Sequence, residues 1–328
     1  MRFSVIIPLY NKAPYIEKAL KSVISQTFRD FEVIVVDDGS KDESAEIAEK
    51  VLLDSPVPHL LIRQANAGVS MARNNGVAQS HGDYLCFLDA DDWWDPTFLQ
   101  EISQLIEEFP DAGIYGTSYT IVNETKHKTR IAPIGVGPGF EKGYINYCQV
   151  YAKTLAMPLT SISVAIPRAV FDEMGGFPKD IKLGEDFLLW VKIALKHNVA
   201  FLNKPLAYYN QDSNPEWRGT GHLTAPEYHM LWNLNGLEDE EKNNPDFKGL
   251  IDNLRTNSLL RYYTSTQFQD SARQELAKVN WDKQPAKVKR LYNQPMVLLR
   301  FRGFLLNCGS MIKHTIVKLL IITRKQIG

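Results

Sequence analysis

The chain has 328 residues, 44% hydrophobic and 23% charged, with a formal net charge of -1. Those values describe a globular protein with ample material for a core, and they give no basis for nucleic acid as a partner. The cysteines, Cys86, Cys148 and Cys308, are widely spaced with no CxxC pair, which excludes a disulfide framework or zinc site and fits a reduced, cytosolic compartment.

Phe3 to Pro8 is a continuous apolar run, as expected of a strand covered on both faces. It is too short for a signal-peptide core, so the fold is expected to begin with the first residues. Tyr15, Ile16, Ala19, Leu20, Val23 and Ile24 recur at helical spacing, with Pro14 suited to the first turn. Phe31 to Val36 reads as a second buried strand, ending in Asp37-Asp38-Gly39-Ser40, and Asp42 to Leu53 as a helix. His59 to Arg63 is a third strand candidate, and Gly68 leads into a helix carrying Met71, Ala72, Val77 and Ala78. Tyr84 to Leu88 is again strand-like, followed by a helix with Phe98, Leu99, Ile102, Leu105 and Ile106 on one face. Strands and helices alternating at this spacing predict a doubly wound, mainly parallel α/β sheet.

Beyond Asp111 the pattern loosens. Ala112 to Val122, Ser161 to Ile166 and Ala200 to Tyr209 read as strands, and Gly135 to Gly143 as a loop. Gly135 to Gly139 lacks the preceding strand and following helix of a dinucleotide fingerprint. Phe187 to Leu195 is apolar nearly all round, hence a buried helix. From about Tyr228 the chain is helical and more polar, with Phe247, Leu250, Ile251 and Leu254 on one face. We therefore divide it into a domain over 1–225 and a helical extension over 226–328. After Asp282 there are no acids, while Lys and Arg are interspersed with Leu, Ile and Val. No window reaches the roughly 18 apolar residues of a spanning helix. The basic amphipathic tail predicts peripheral contact with anionic lipid; a helix packed on the main domain or a disordered end is the alternative.

Candidate chemistry lies at strand ends. The strand at Tyr84 runs into Asp89-Ala90-Asp91-Asp92, and several carboxylates at the end of a buried strand call for a counter-charge. A divalent cation bound by one or two carboxylates and phosphate oxygens meets that need. A solvated turn, with Asp92 or Asp95 capping the next helix, is the ordinary alternative. Asp38 can accept the N3–H of uracil or thymine, or merely form a turn. Gly68 permits close backbone approach beside a helix start, and Arg73 can pair with phosphate or form a surface salt bridge. Glu185-Asp186 opens a helix, where one acid can take a proton from a hydroxyl or both can serve as capping charges.

Ser4 to Asn11, Ser25-Gln26-Thr27-Phe28, Val35 to Ser40, Asn66 to Asn74 and Phe87 to Asp92 occur in that order. Together they resemble the family 2 glycosyltransferases of the GT-A fold. The resemblance continues through Gly175-Gly176-Phe177 and Gly184-Glu185-Asp186 and stops near residue 215. It implies a Rossmann-like mixed, mainly parallel sheet flanked by helices, a nucleotide-sugar donor leaning to UDP, and transfer with inversion. It places Pro8, Tyr10 and Asp38 around the base and Arg73 in the nucleotide pocket. Asp89 and Asp91 fall in the metal motif for Mg2+ or Mn2+, with Asp91 the more direct ligand. Asp186 matches the catalytic base, with Glu185 beside it on the acceptor side. Many relatives carry a His after the last strand; here Tyr208 to Asp212 stands in that place, with His222 nearby. A lipid-linked or cell-surface glycan acceptor at the cytosolic membrane face follows by resemblance. A non-catalytic binding subunit, a metal-dependent nucleotidyltransferase and an acid-loop phosphatase are the competing readings. The last two lack, respectively, a Gly-rich loop with its Lys near the first strand and an Asp after that strand.

Overall fold

The computed structural model describes residues 2–212 and 223–307, with side chains through residue 301. The chain divides into two compact units between Leu250 and Ile251.

In the first unit, β1 (Phe3–Leu9), α1 (Ile16–Ile24), β2 (Phe31–Asp37), α2 (Ser44–Leu53), β3 (His59–Arg63), α3 (Val69–Ala78) and β4 (Tyr84–Phe87) alternate as the sequence predicts. Strands β3, β2, β1 and β4 lie side by side and parallel, with Phe3 level with Phe31 on one side and Tyr84 on the other. Every residue of β2 is buried, and β1 is nearly so, because helices cover both faces. Edge strand β3 is instead exposed or half-buried along its length. Helix α3 comes so close to β1 that a Cβ on Gly76 would sit 2.6 Å from Ile6 Cγ2, so this turn of the helix has no room for a side chain.

The sheet then changes direction. After β5 (Trp93–Trp94) and α4 (Phe98–Glu108) come β6 (Ala112–Asn123), β7 (Lys128–Ile131), β8 (Lys142–Ile145) and α5 (Tyr147–Thr154). Next are β9 (Val164–Pro167), α6 (Arg168–Met174), α7 (Glu185–Lys196), β10 (Asn198–Asn210) and, farther on, α8 (Glu238–Asn243). Strand β9 inserts antiparallel between β4 and β6, β10 runs parallel to β6, and β5 closes the order β3-β2-β1-β4-β9-β6-β10-β5. The sheet is mixed and mainly parallel, as expected.

Local readings required correction at three places. Ser161–Ser163 is a 3-10 turn rather than strand, because the Thr160 and Ser163 side chains cap each other's backbone N–H. Helix α1 starts after Pro14, at Ile16. Neither Asp92 nor Asp95 caps α4: its N-cap is Thr97, whose N–H and hydroxyl donate to Asp95.

The division between units falls within α9 (Pro245–Ser258). The second unit contains the rest of α9, then α10 (Leu260–Thr264), α11 (Gln269–Ala277), α12 (Ala286–Tyr292) and α13 (Met296–Asn307). It buries Ile251, Leu254, Leu259, Tyr262, Ala272 and Leu276. Arg255, also buried, lies 3.0 Å from Glu275.

Candidate active site

Parallel strands that end together leave a crevice beyond their carboxyl ends. Here the crevice is a cavity of about 540 Å3, and Pro8, Tyr10, Asp38, Arg73, Asp89, Asp91, Glu185 and Asp186 all line it. Pro8 and Tyr10 come from the end of β1, Asp38 from the end of β2, and Arg73 from α3. Asp89 and Asp91 follow β4, and Glu185 and Asp186 open α7. Reasoning from sequence missed Lys12 and Lys182, which share the wall.

Arg73 is the hub of the site. Its guanidinium is 3% exposed and donates from Nη2 to Asp89 Oδ1 (2.7 Å) and from Nη1 to Glu185 Oε1 (3.1 Å). Nη2 also reaches Ser161 Oγ at 3.2 Å, and the cation lies 5.0 Å from the centre of the Phe177 ring. The two carboxylates and the hydrogen bond to Asp89 outweigh burial and raise its pKa further. The anion that Arg73 was expected to meet is thus the protein's own. It is a buried ion pair on the cavity wall rather than a surface salt bridge, and its Nε has no hydrogen-bond partner among the described residues.

Asp38 is equally engaged. Its carboxylate accepts from Gln64 Nε2, Ala67 N and Gly68 N, each at 2.8 Å. A carboxylate has about four lone-pair sites, so about one remains for a ligand. The other three fix the Gln64–Gly68 turn, where Gly68 adopts φ +90° immediately before α3.

The acids after β4 have three different surroundings. Asp89 is 31% exposed and paired with Arg73, while Asp91 Oδ2 lies 2.6 Å from Lys12 Nζ. Asp92 is buried and accepts the Asn210 N–H at 2.7 Å; among the described residues its Oδ2 has no hydrogen-bond partner. Burial, with Asp91 and Asp89 adjacent, raises its pKa well above the ordinary carboxylate value. Asp89 and Asp91 are hard oxygen donors of the type that fits Mg2+ or Mn2+. Among the described residues no three His, Cys, Asp or Glu side chains converge on one point. A two-carboxylate site of this type draws its remaining ligands from phosphate and water. In place of the relatives' His, the end of β10 supplies the Asn210 N–H to Asp92, and His222 lies outside the described residues.

Asp186 stands in the first turn of α7. Gly184 makes that start possible: it holds φ +85°, and a Cβ there would lie 2.3 Å from Met230 Sδ. Asp186 Oδ1 accepts the Phe187 N–H at 2.7 Å. Burial and the neighbouring Glu185 charge push its pKa up to about 7, against the opposing pull of Arg73 and that N–H.

A family model for glycosyl transferase family 2 matches residues 4–174. This chain belongs to that family. Glycosyltransferase GlyA of Streptococcus pneumoniae is 35% identical over 217 residues, which are 63% of this chain and 30% of GlyA. A glycosyltransferase of Nostoc is 33% identical over 217 residues, 64% of both chains. The chain thus spans between about a third and two thirds of the length of such curated relatives. In fold it is similar to S. aureus TarS 1-349, with a TM-score of 0.65 at 23% identity over 85% of this chain and 80% of that one. It is also similar to the mannosyltransferase PcManGT of Pyrobaculum calidifontis in complex with GDP-Man and Mn2+, with a TM-score of 0.54 at 19% identity over 89% and 78%.

For this family 2 member, Asp186 carries a prediction about stability. Its folded pKa, about 7, exceeds the unfolded value of about 3.9, so between those values the folded state binds more protons than the unfolded one. The contribution of Asp186 to stability therefore falls as pH rises from about 4 to about 7 and is level above that. Asp186→Asn removes the ionisation and keeps an acceptor for the Phe187 N–H. The variant should be more stable than the parent at pH 8, by a few kcal/mol on the order of magnitude, and nearly equal to it near pH 4. Urea unfolding at the two pH values measures this, and a variant less stable at pH 8 would contradict the buried, raised carboxyl.

Proposed function

We propose that this chain transfers a sugar, with inversion, from a nucleoside diphosphate sugar to an acceptor hydroxyl. The observation that carries the reading is the pairing, in one cavity, of hard metal-type carboxylates at Asp89 and Asp91 with a carboxyl at Asp186 poised near neutrality. Tyr10, which is 40% exposed, offers a ring face to the base, and Asp38 keeps a lone pair for its N–H. Pro8 stands beside them. Family membership supports a sugar nucleotide as donor. The complexes of similarly folded TarS with UDP-GlcNAc and of PcManGT with GDP-Man support the same class, and we lean to UDP.

In the step we derive, Asp186 takes the proton of the acceptor hydroxyl as its oxygen bonds to the anomeric carbon. The bond from that carbon to the diphosphate breaks, and the diphosphate leaves with the electron pair. A base with a pKa near the working pH combines availability with strength. Attack from the side opposite the leaving group inverts the centre, as it does in inverting glycosidases. Asp89 and Asp91 would hold Mg2+ or Mn2+, which supplies charge to the departing diphosphate. Arg73 keeps Asp89 and Glu185 in place while this happens.

Thermal stability with UDP, dTDP, GDP and CMP, with and without Mn2+, tests the donor pocket, since selective binding to the folded state raises the midpoint. One nucleotide should give a Mn2+-dependent shift. With sugar derivatives of that nucleotide, Asp186→Asn should keep the shift and lose transfer by about 10²–10⁴-fold. Equal loss of binding and transfer would contradict Asp186 as the base, and no shift with any nucleotide would favour a non-catalytic subunit.

We also propose that the acceptor is a lipid-linked or cell-surface glycan reached at the cytosolic face of a membrane. On α13, Val297, Leu298 and Phe301 are exposed beside Arg300, within a segment that contains no acid after Asp282. Among the described residues no helix is long and apolar enough to cross a membrane, so the contact proposed is peripheral. The rest of the basic tail lies outside the described residues. Cosedimentation with phosphatidylglycerol vesicles should weaken when Leu298 and Phe301 are both changed to Ser, and when salt is raised. Unchanged binding by the double variant would remove this contact.

A further inference from the structure

Lys12 lies on the cavity wall just past β1, and its ammonium is 2.6 Å from Asp91 Oδ2. The pair is sheltered, the two side chains being 17% and 14% exposed. Its backbone is tied down on several sides. Lys12 N donates to Ser44 Oγ at 2.7 Å, and Ala13 N donates to Asp42 Oδ2 at 3.2 Å. Asn11, at φ +50°, donates to Ser40 Oγ at 3.1 Å and accepts from Lys41 N at 2.8 Å. A non-glycine residue in the left-handed region persists where its surroundings over-determine it. The stem of Lys12 therefore starts from a point in the loop after β1 that is held against the segment after β2, and the ammonium reaches Asp91 from there.

This matters because the acids around Asp91 already have partners within the protein. Asp89 has Arg73, and Asp92 accepts the Asn210 N–H. With Lys12 on Asp91, both Asp89 and Asp91 face a cation of the protein before any ligand arrives. A cation approaching Asp91 alone meets a carboxylate whose charge is already satisfied.

The geometry points to Lys12 as an internal counter-ion that competes with the divalent cation for Asp91 and passes to the diphosphate when a nucleotide binds. This rests on the donor-pocket reading above. A nucleoside diphosphate gives the ammonium a new anionic partner and leaves Asp91 free. Cation and nucleotide then bind cooperatively, and the coupling is reciprocal, each raising the affinity of the other by the same factor.

The test uses the full chain, Lys12→Met and Lys12→Gln, with Mn2+ binding followed by the electron paramagnetic resonance of the free ion. The parent should bind Mn2+ weakly alone and about 10–100-fold more tightly with saturating UDP. In Lys12→Met, Mn2+ alone should bind about 10-fold more tightly than to the parent, while the gain from UDP shrinks to a few-fold. UDP affinity without metal, read by calorimetry, should fall. Lys12→Gln keeps a polar tip and gives the same comparison if an apolar tip disturbs the turn. Variants with the parent's Mn2+ affinity and the parent's UDP gain would overturn the role of Lys12. A parent that binds UDP neither alone nor with Mn2+ would overturn the donor reading itself, and this inference with it.

Discussion

The site depends on one buried cation. Arg73, on α3, bonds to Asp89 after β4 and to Glu185 at the start of α7, and so ties together three segments far apart in sequence. A guanidinium this buried is tolerable only with matched carboxylates and a planar fork to meet them. Breaking such a pair strands the partners and typically costs about 3–5 kcal/mol. The interaction thus acts as a geometric lock. It holds the acidic strand end and the helix that carries Asp186 against the same cavity wall.

From that lock the other charges acquire distinct tasks. Glu185 faces Arg73, while Asp186, next in sequence, has no such partner among the described residues and is pushed up to about 7 by burial and by Glu185. Asp89 and Asp91 remain hard oxygen donors, each held by a cation of the protein itself. Asp92, its pKa raised well above the ordinary carboxylate value by burial, joins the strand end to Asn210. Asp38 secures the Gln64–Gly68 turn from which α3, and hence Arg73, begins. Six carboxylates in one crevice are compatible because each is paired or hydrogen-bonded within the protein.

The features legible in the sequence were those set by local pattern. Val5-Ile6-Ile7 and Val33 to Val36 are apolar on both faces, so β1 and β2 announce themselves as buried parallel strands. The strand-end acids stand out because such residues rarely follow a buried run without a purpose. What escaped was non-local. Glu185 lies 112 residues from Arg73, and no spacing rule connects them. Asp92 resembles a helix cap in sequence, yet its partner is Asn210, at the end of β10. Strand β5 has two residues, too few to show a period, and exists because Trp93 and Trp94 pair with Tyr208 and Ala207. Lys12 sits in a turn among polar residues, where only the fold shows that it meets Asp91.

The most direct measurement is a crystal structure of the chain with UDP and Mn2+. The account predicts the uracil against Tyr10 and Asp38, the diphosphate and metal at Asp91, and Asp186 facing the place of the anomeric carbon from the side away from the diphosphate. A nucleotide bound outside this cavity would contradict the account, as would an Asp186 that lies on the diphosphate side.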